Sequence, residues 1–192
     1  MKLQLKDTDI YLIDQILKGR FEKTKSVLDV GCGKGRNLDY FIANNFNVYG
    51  VDVNKEHIEW VLQNKKVKNS NFKVGLAEET EFNNPFDLII CNAVLHFAKS
   101  KIHFEVMLFS MWNKLNDNGI LFIRLASDFG IERLIESIGN GNYKLPDGSS
   151  RYLVTEKTLL NYTKTLNASL IEPIKTTNVQ NLRCMTTWII RK

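Results

Sequence analysis

Apolar residues along the chain form two alternating patterns: short unbroken runs, and stretches where they recur every three or four positions. Ile10, Ile13 and Leu17 give the helical spacing first, and Gly19 stands where such a helix can end. Ser26–Val30 reads as a short strand, followed by glycines and a helix with Leu38, Phe41 and Ile42 on its apolar face. Asn47–Val51 reads as a second strand, after which Ile58, Val61 and Leu62 repeat the helical spacing. A third strand is expected at Asn71–Gly75 and a fourth at Phe86–Cys91, where Leu88, Ile89 and Ile90 run without alternation. Unbroken apolar strands are buried on both faces, as in a parallel sheet covered by helices. Ser100 is placed to cap a helix carrying Ile102, Val106, Phe109 and Trp112, and Asn118-Gly119 turns the chain into a strand at Ile120–Leu125.

The last third changes character. Ile131, Leu134, Ile135 and Ile138 predict one helix ended by Gly139, then a loop over Gly139–Ser150 and a helix around Glu156–Leu166. Two strand-like runs, Ser169–Thr176 and Met185–Arg191, are joined through Asn178–Asn181, a connection short enough to require an antiparallel pair. Strands alternating with helices predict an α/β fold: a doubly wound, mostly parallel sheet with an antiparallel C-terminal hairpin. The length of 192 residues fits a single domain.

Composition narrows the class. With 44% hydrophobic and 24% charged residues the chain reads as globular, neither disordered nor fibrous. No window approaches the roughly 18 apolar residues of a membrane span. The N-terminus turns polar too early for a signal peptide, so a cytoplasmic protein without a membrane partner is expected. Cys32, Cys91 and Cys184 lie far apart, against both a disulfide framework and a zinc site. The net charge of +5 is spread out. Its densest cluster, Lys65, Lys66 and Lys68, falls at a predicted helix end, where cations meet the dipole favourably. It reads as a solvated face, and nucleic acid is not an expected partner.

The segment Val27–Asn37 (VLDVGCGKGRN) carries the chemistry. Gly31, Gly33 and Gly35 stand between a strand and a helix, where a ligand can approach the backbone closely. Asp29 lies at the end of the first strand and Asp52 at the end of the second. In doubly wound sheets an acid after the second strand can accept both ribose hydroxyls. A dinucleotide site would want a third glycine where Arg36 stands, and Asp29 would repel a pyrophosphate. Asp29 suits an ammonium instead, which favours a ligand without phosphates.

On these residues the chain resembles the class I S-adenosylmethionine-dependent methyltransferases, over about residues 20–126. VLDVGCGKGRN is similar to the family's first motif, VYGVDVN to its second, FDLIICNAVLHF to its fourth-strand motif and LNDNGILFI to the turn into strand five. The resemblance implies a Rossmann-like sheet of seven strands, ending in an antiparallel pair, and S-adenosyl-L-methionine as methyl donor. It implies that Gly31, Cys32, Gly33 and Gly35 pass beneath the methionine part, that Asp29 reaches the amino group through water, and that Asp52, beside Val53, holds the ribose. Gly75–Glu79 corresponds to the adenine-binding motif. Many relatives carry an aspartate where this chain has Leu76; Glu78 is the substitute candidate, with Leu76 and Ala77 packing on the ring. Asn92 lines the site beside the transferring methyl.

The acceptor is less defined. Asn92–His96 lacks the N-P-P-Y/F motif associated with amino-group methylation of nucleic-acid bases or glutamine. His96 is a candidate general base, a packed histidine being its ordinary alternative. His57 and His103 fall on polar helix faces and carry no signal. Selectivity is expected from the N-terminal helix and from residues 127–168, which contain Arg133, Tyr143, Arg151, Tyr152 and Tyr162. With Arg183 these residues can form a lid with cationic groups over the acceptor. GCGKGRN also resembles small bacterial methyltransferases of the tellurite-resistance type and related metabolite enzymes, so a small-molecule acceptor is expected. RNA or protein methylation, or a non-catalytic S-adenosylmethionine-binding module, are the alternatives.

Overall fold

The computed structural model describes residues 5–79 and 82–192. Among them, β1 (Ser26–Val30), β2 (Asn47–Asp52), β3 (Phe72–Val74), β4 (Phe86–Asn92), β5 (Leu115–Ser127), β9 (Ser169–Leu170), β10 (Lys175–Val179) and β11 (Arg183–Arg191) form an eight-stranded sheet. The strand order is β10-β11-β5-β4-β1-β2-β3, with β9 paired to β11. The pairs among β1 to β5 are parallel, whereas β11 runs antiparallel to β5, β9 and β10. Strand order therefore reverses between β1 and β4, which opens a crevice at their carboxyl ends.

The apolar strands are buried on both faces because each alternates between two cores. Leu28, Val30, Ile89, Cys91, Leu121 and Ile123 point one way, toward Phe104, Leu108 and Met111 of α4 (Lys101–Asn113) and Leu159 of α5 (Glu156–Thr165). Val27, Leu88, Ile90 and Phe122 point the other way, toward Leu12 of α1 (Ile10–Leu17), Phe41 of α2 (Asp39–Ala43), and Ile58 and Val61 of α3 (Lys55–Asn64). Each such side chain contributes roughly 1.5–3 kcal/mol on full burial, which outweighs the modest propensity of any one segment. Ser100 caps α4 as expected, its hydroxyl accepting from the His103 N–H at 3.2 Å.

Four elements differ from the sequence-based expectation. In α1 the buried residues are Leu12 and Gln15, while Ile10 and Leu17 are each 65% exposed. Thus the predicted apolar stripe is not the face that packs. The helix after the glycines is only Asp39–Ala43, because residues 33–38 form turns that already bury Leu38. The run at Ser169–Thr176 is broken at Pro173, which lacks a backbone donor, and so yields both β9 and β10. That break supplies the eighth strand.

The fourth difference is a change of class. In place of a helix over 131–138, the chain turns and then forms β6 (Glu136–Gly139), β7 (Asn142–Lys144) and β8 (Ser150–Tyr152), a three-stranded antiparallel sheet. Gly139, Asn140 and Gly141 all take positive φ, which makes a hairpin turn. Ile131 is buried, but Leu134 and Ile138 are exposed, so the helical spacing has no core to face. Ala126, Ile131, Leu145, Leu153 and Cys184 form the small apolar cluster that seats this sheet over the ends of β5 and β11.

Candidate active site

The crevice holds a cavity of about 400 Å³, lined by Gly31, Asp52, Leu76, Glu78, Phe97 and Met107 among others. Gly31 has φ +72°, and a Cβ there would stand 2.3 Å from Val94 Cγ2, so only glycine fits between the loop and the end of β4. Gly33 also has positive φ, but its missing Cβ leaves open space. Gly35 turns away from the cavity, against Lys65 and Val61. Because α2 starts at Asp39, no helix terminus follows the glycines directly, and the loop amides are held within the protein: Gly31 and Cys32 donate to Val51 O at 2.8 and 3.0 Å, and Gly35 to Cys32 O at 2.8 Å.

Asp29 is 1% exposed, and its Oδ2 has no hydrogen-bond partner among the described residues. Burial pushes its carboxyl up to about 8; Arg36 opposes the shift and Asp52 adds to it. A buried carboxylate with a free oxygen is costly unless a cation arrives. Cys32 lies buried under the loop with its thiol turned to the Gly33 carbonyl at 3.6 Å. Burial raises its pKa, so it is a packing residue and no nucleophile.

Asp52 accepts from the Gly33 N–H at 2.7 Å through Oδ2 and from the Asn54 N–H at 2.9 Å through Oδ1, which also lies 3.3 Å from His57 Nδ1. Val53, Leu76 and Ala77 line the same cavity. Glu78 does too, with His103 Nε2 at 3.0 Å from its Oε1. The His103 ring is fixed at its other nitrogen, where Nδ1 accepts from the Lys99 N–H at 3.0 Å. The helical spacing had put His103 on a polar face, yet its position in the first turn of α4 aims it at the crevice. Asn92, at the end of β4, is buried with both amide atoms unpartnered among the described residues.

A second cavity of about 360 Å³ adjoins the first, and Ala93 and Phe97 line both. His96 belongs here. Its Nδ1 accepts from the Ala126 N–H at 3.2 Å, and burial together with the charge of Arg151 pushes its pKa down to about 4. A neutral ring accepting at Nδ1 carries its proton on Nε2. Of the residues expected in a lid, Arg151 and Arg183 line this cavity. Tyr152 and Tyr162 instead join the main core, Tyr143 packs against the small cluster, and Arg133 is exposed. Arg124 lines the cavity as well and was missed in the sequence; a lone cation in the apolar run Ile120–Leu125 was its signal.

A doubly wound sheet with a glycine loop at its switch point and an acid after β2 defines a nucleoside-binding α/β protein, here with an adjoining second cavity. A family model described as a methyltransferase domain matches residues 9–172, and the chain belongs to that family. It is 28% identical over 116 residues to a ubiquinone biosynthesis O-methyltransferase of Rickettsia canadensis, covering 59% of this chain and 48% of that protein. The chain spans about half the length of the curated relatives it matches. An S-adenosylmethionine-dependent methyltransferase structure from Clostridium acetobutylicum superimposes with a TM-score of 0.72 at 14% identity, over 99% of this chain and 94% of that one. The 1,6-didemethyltoxoflavin-N1-methyltransferase of Burkholderia thailandensis, solved with 1,6-didemethyltoxoflavin and S-adenosylhomocysteine bound, gives a TM-score of 0.66 at 20% identity, over 92% and 75%. These structures share the Rossmann-like methyltransferase fold. No helix among the described residues is long and apolar enough to cross a membrane.

Proposed function

We propose that the chain is an S-adenosylmethionine-dependent methyltransferase that acts on a small-molecule acceptor. The observation that carries this reading is the buried, unpartnered carboxylate of Asp29 beside the glycine loop, a group that calls for the ammonium of an amino-acid-bearing nucleoside. Family membership and a relative named for ubiquinone biosynthesis support it. In this reading Asp29 pairs with the amino group and Gly31, Cys32 and Gly33 pass beneath the methionine part, while Gly35 turns the chain away from it. Asp52 accepts from the ribose, Leu76 and Ala77 pack on the adenine, and Glu78 accepts from its amino group. Asn92 offers its free amide atoms beside the reacting centre.

When bound, S-adenosylmethionine supplies a sulfonium methyl, which a nucleophile displaces in line. The chain's task is then to orient the acceptor and exclude water. The second cavity takes the acceptor, with residues 127–168 selecting it. His96 acts there as a neutral donor through Nε2–H, holding an acceptor atom in place rather than removing a proton.

Purified protein with S-adenosylmethionine should release S-adenosylhomocysteine when given the low-molecular-weight fraction of a cell extract. Turnover confined to the RNA or protein fraction would overturn the small-molecule reading, and absence of S-adenosylmethionine binding by calorimetry would overturn the donor.

A further inference from the structure

We infer that the second cavity recognises its acceptor through an oxyanion, a carboxylate or phosphate group, held by Arg124, Arg151 and Arg183. This rests on the methyltransfer reading and names the substrate class of the same site. The three guanidinium groups come from separate elements: β5, β8 and β11. Asp147 is the one acid among the described residues lining the cavity.

Each arginine retains donors after its protein contacts are counted. Arg124 gives Nη1 to Asp9 Oδ2 at 2.9 Å and lies over the Tyr11 ring at 5.0 Å, which fixes its plane. Its Nε is buried without a hydrogen-bond partner among the described residues. Arg151 gives Nη1 to its neighbour's carbonyl, Ser150 O, at 2.7 Å and stacks over Phe97 at 5.0 Å. Arg183 approaches Asp147 Oδ2 at only 3.7 Å and is 57% exposed at its side chain. A guanidinium has five N–H donors in a planar fork that matches a carboxylate or phosphate edge.

Asp147 does not neutralise this set. Its Oδ1 is occupied by the Ser149 N–H at 2.9 Å and the Ser149 hydroxyl at 2.6 Å, and with Asp9 already paired to Arg124 this one carboxylate serves both Arg183, at 3.7 Å, and Arg151. His96 adds a further donor, because its Nδ1 is taken by Ala126. The lining is thus rich in donors and net positive. A cationic acceptor would meet like charge, and a neutral one would leave the remaining guanidinium donors without a charged partner. An oxyanion satisfies them. Because Phe97 lines both cavities and carries Arg151 on its face, an anion held here lies next to the donor site.

The test uses the full chain labelled with ¹⁵N, saturated with S-adenosylhomocysteine and, in parallel, free of it. Sodium malonate, inorganic phosphate and the neutral isostere malonamide are titrated at constant ionic strength. Malonate or phosphate should shift the Ala126 amide and the Arg124 Nε–H saturably, while malonamide does not. Arg151→Gln with Arg183→Gln should weaken that binding by roughly tenfold or more, the scale expected for lost charge-assisted hydrogen bonds. Arg124→Lys, which keeps the charge and removes the Nε donor, should weaken it less. Tighter malonate binding assigns a carboxylate and tighter phosphate binding a phosphate. Equal shifts by malonamide, or unchanged binding in the double variant, would overturn the inference even if S-adenosylhomocysteine binds normally. Oxyanion binding in a protein that fails to bind S-adenosylhomocysteine would instead sustain the oxyanion site and remove the donor reading.

Discussion

The Gly33 amide donates to Asp52 Oδ2 at 2.7 Å, so the carboxylate at the end of β2 holds the glycine loop in shape. The other oxygen of Asp52 accepts from the N–H of Asn54, whose own side chain caps α3. One side chain therefore sets both the loop and the start of the next helix. With Asp52 also holding the ribose, as proposed, ligand binding and loop order would be coupled through it.

Asp52→Ala should therefore do more than delete a ribose contact. Hydrogen bonds to charged groups are worth about 1.5–3 kcal/mol, so S-adenosylmethionine affinity should fall at least tenfold. The Gly33 amide should also exchange with solvent faster in the ligand-free protein. Unchanged affinity by calorimetry would remove Asp52 from the site.

Asp29 gives a prediction in which stability and binding move in opposite directions. Its folded pKa of about 8 lies above the ordinary carboxylate value of 3.8, so the folded state holds more protons between those limits. Its contribution to stability is therefore lost progressively as pH rises from about 4 to about 8. Asp29→Asn should stabilise the free protein at pH 8 by roughly 1–3 kcal/mol and weaken donor binding. Wild-type protein should release protons on binding S-adenosylmethionine at pH 7, detectable by calorimetry in buffers of different ionisation enthalpy. The Asn variant should release none from this site.

His96 slopes the other way. Its folded pKa of about 4 lies below the usual 6.5, so its contribution is present above about 6.5 and is lost as pH falls toward 4. Asp29 and His96 offset each other in that window, so only the difference between variant and wild type isolates either. Relative to wild type, His96→Gln should lose less stability between pH 6.5 and 4 in urea titrations. If His96 is a donor and not a base, the variant should also keep the acid limb of the pH–rate profile, which a general base would set.

Gly31→Ala and Gly33→Ala separate steric from conformational cost. Both residues have positive φ, which costs an alanine about 1–2 kcal/mol. At residue 31 the new Cβ would also meet Val94 Cγ2 at 2.3 Å, whereas at residue 33 it meets open space. Gly31→Ala should thus lower Tm clearly more than Gly33→Ala. Equal losses would mean that the Val94 contact relaxes freely.

The parts of this fold legible in the sequence are those where one physical effect dominates. Strands β1 and β4 are unbroken apolar runs buried on both faces, and the positions of Asp29 and Asp52 follow from where β1 and β2 end. The 131–138 segment shows the opposite case: helical spacing was present by coincidence, and the positive-φ turn at Gly139–Gly141 decided the structure. Arg124 was hidden because periodicity assigns a strand residue to a face without saying what lies beyond the strand's end. His103 was hidden because the first turn of a helix can aim a polar side chain into a crevice that spacing alone does not reveal.

Glu78 and His103 together should govern adenine recognition. Glu78 is the carboxylate lining that end of the cavity beside Leu76 and Ala77. His103, accepting at Nδ1 from the Lys99 N–H, donates Nε2–H to Glu78 Oε1 and so presets the carboxylate's orientation. A carboxylate that accepts from the adenine amino group would repel the carbonyl that replaces it in S-inosylhomocysteine. Wild-type protein should therefore prefer S-adenosylhomocysteine over the inosyl analogue by roughly tenfold or more, the scale of a hydrogen bond to a charged group. Glu78→Ala should erase most of that preference while leaving inosyl affinity little changed. His103→Phe should reduce the preference partially, because Glu78 keeps its charge and loses only its orientation. An undiminished preference in Glu78→Ala would assign the adenine amino group to a backbone carbonyl instead.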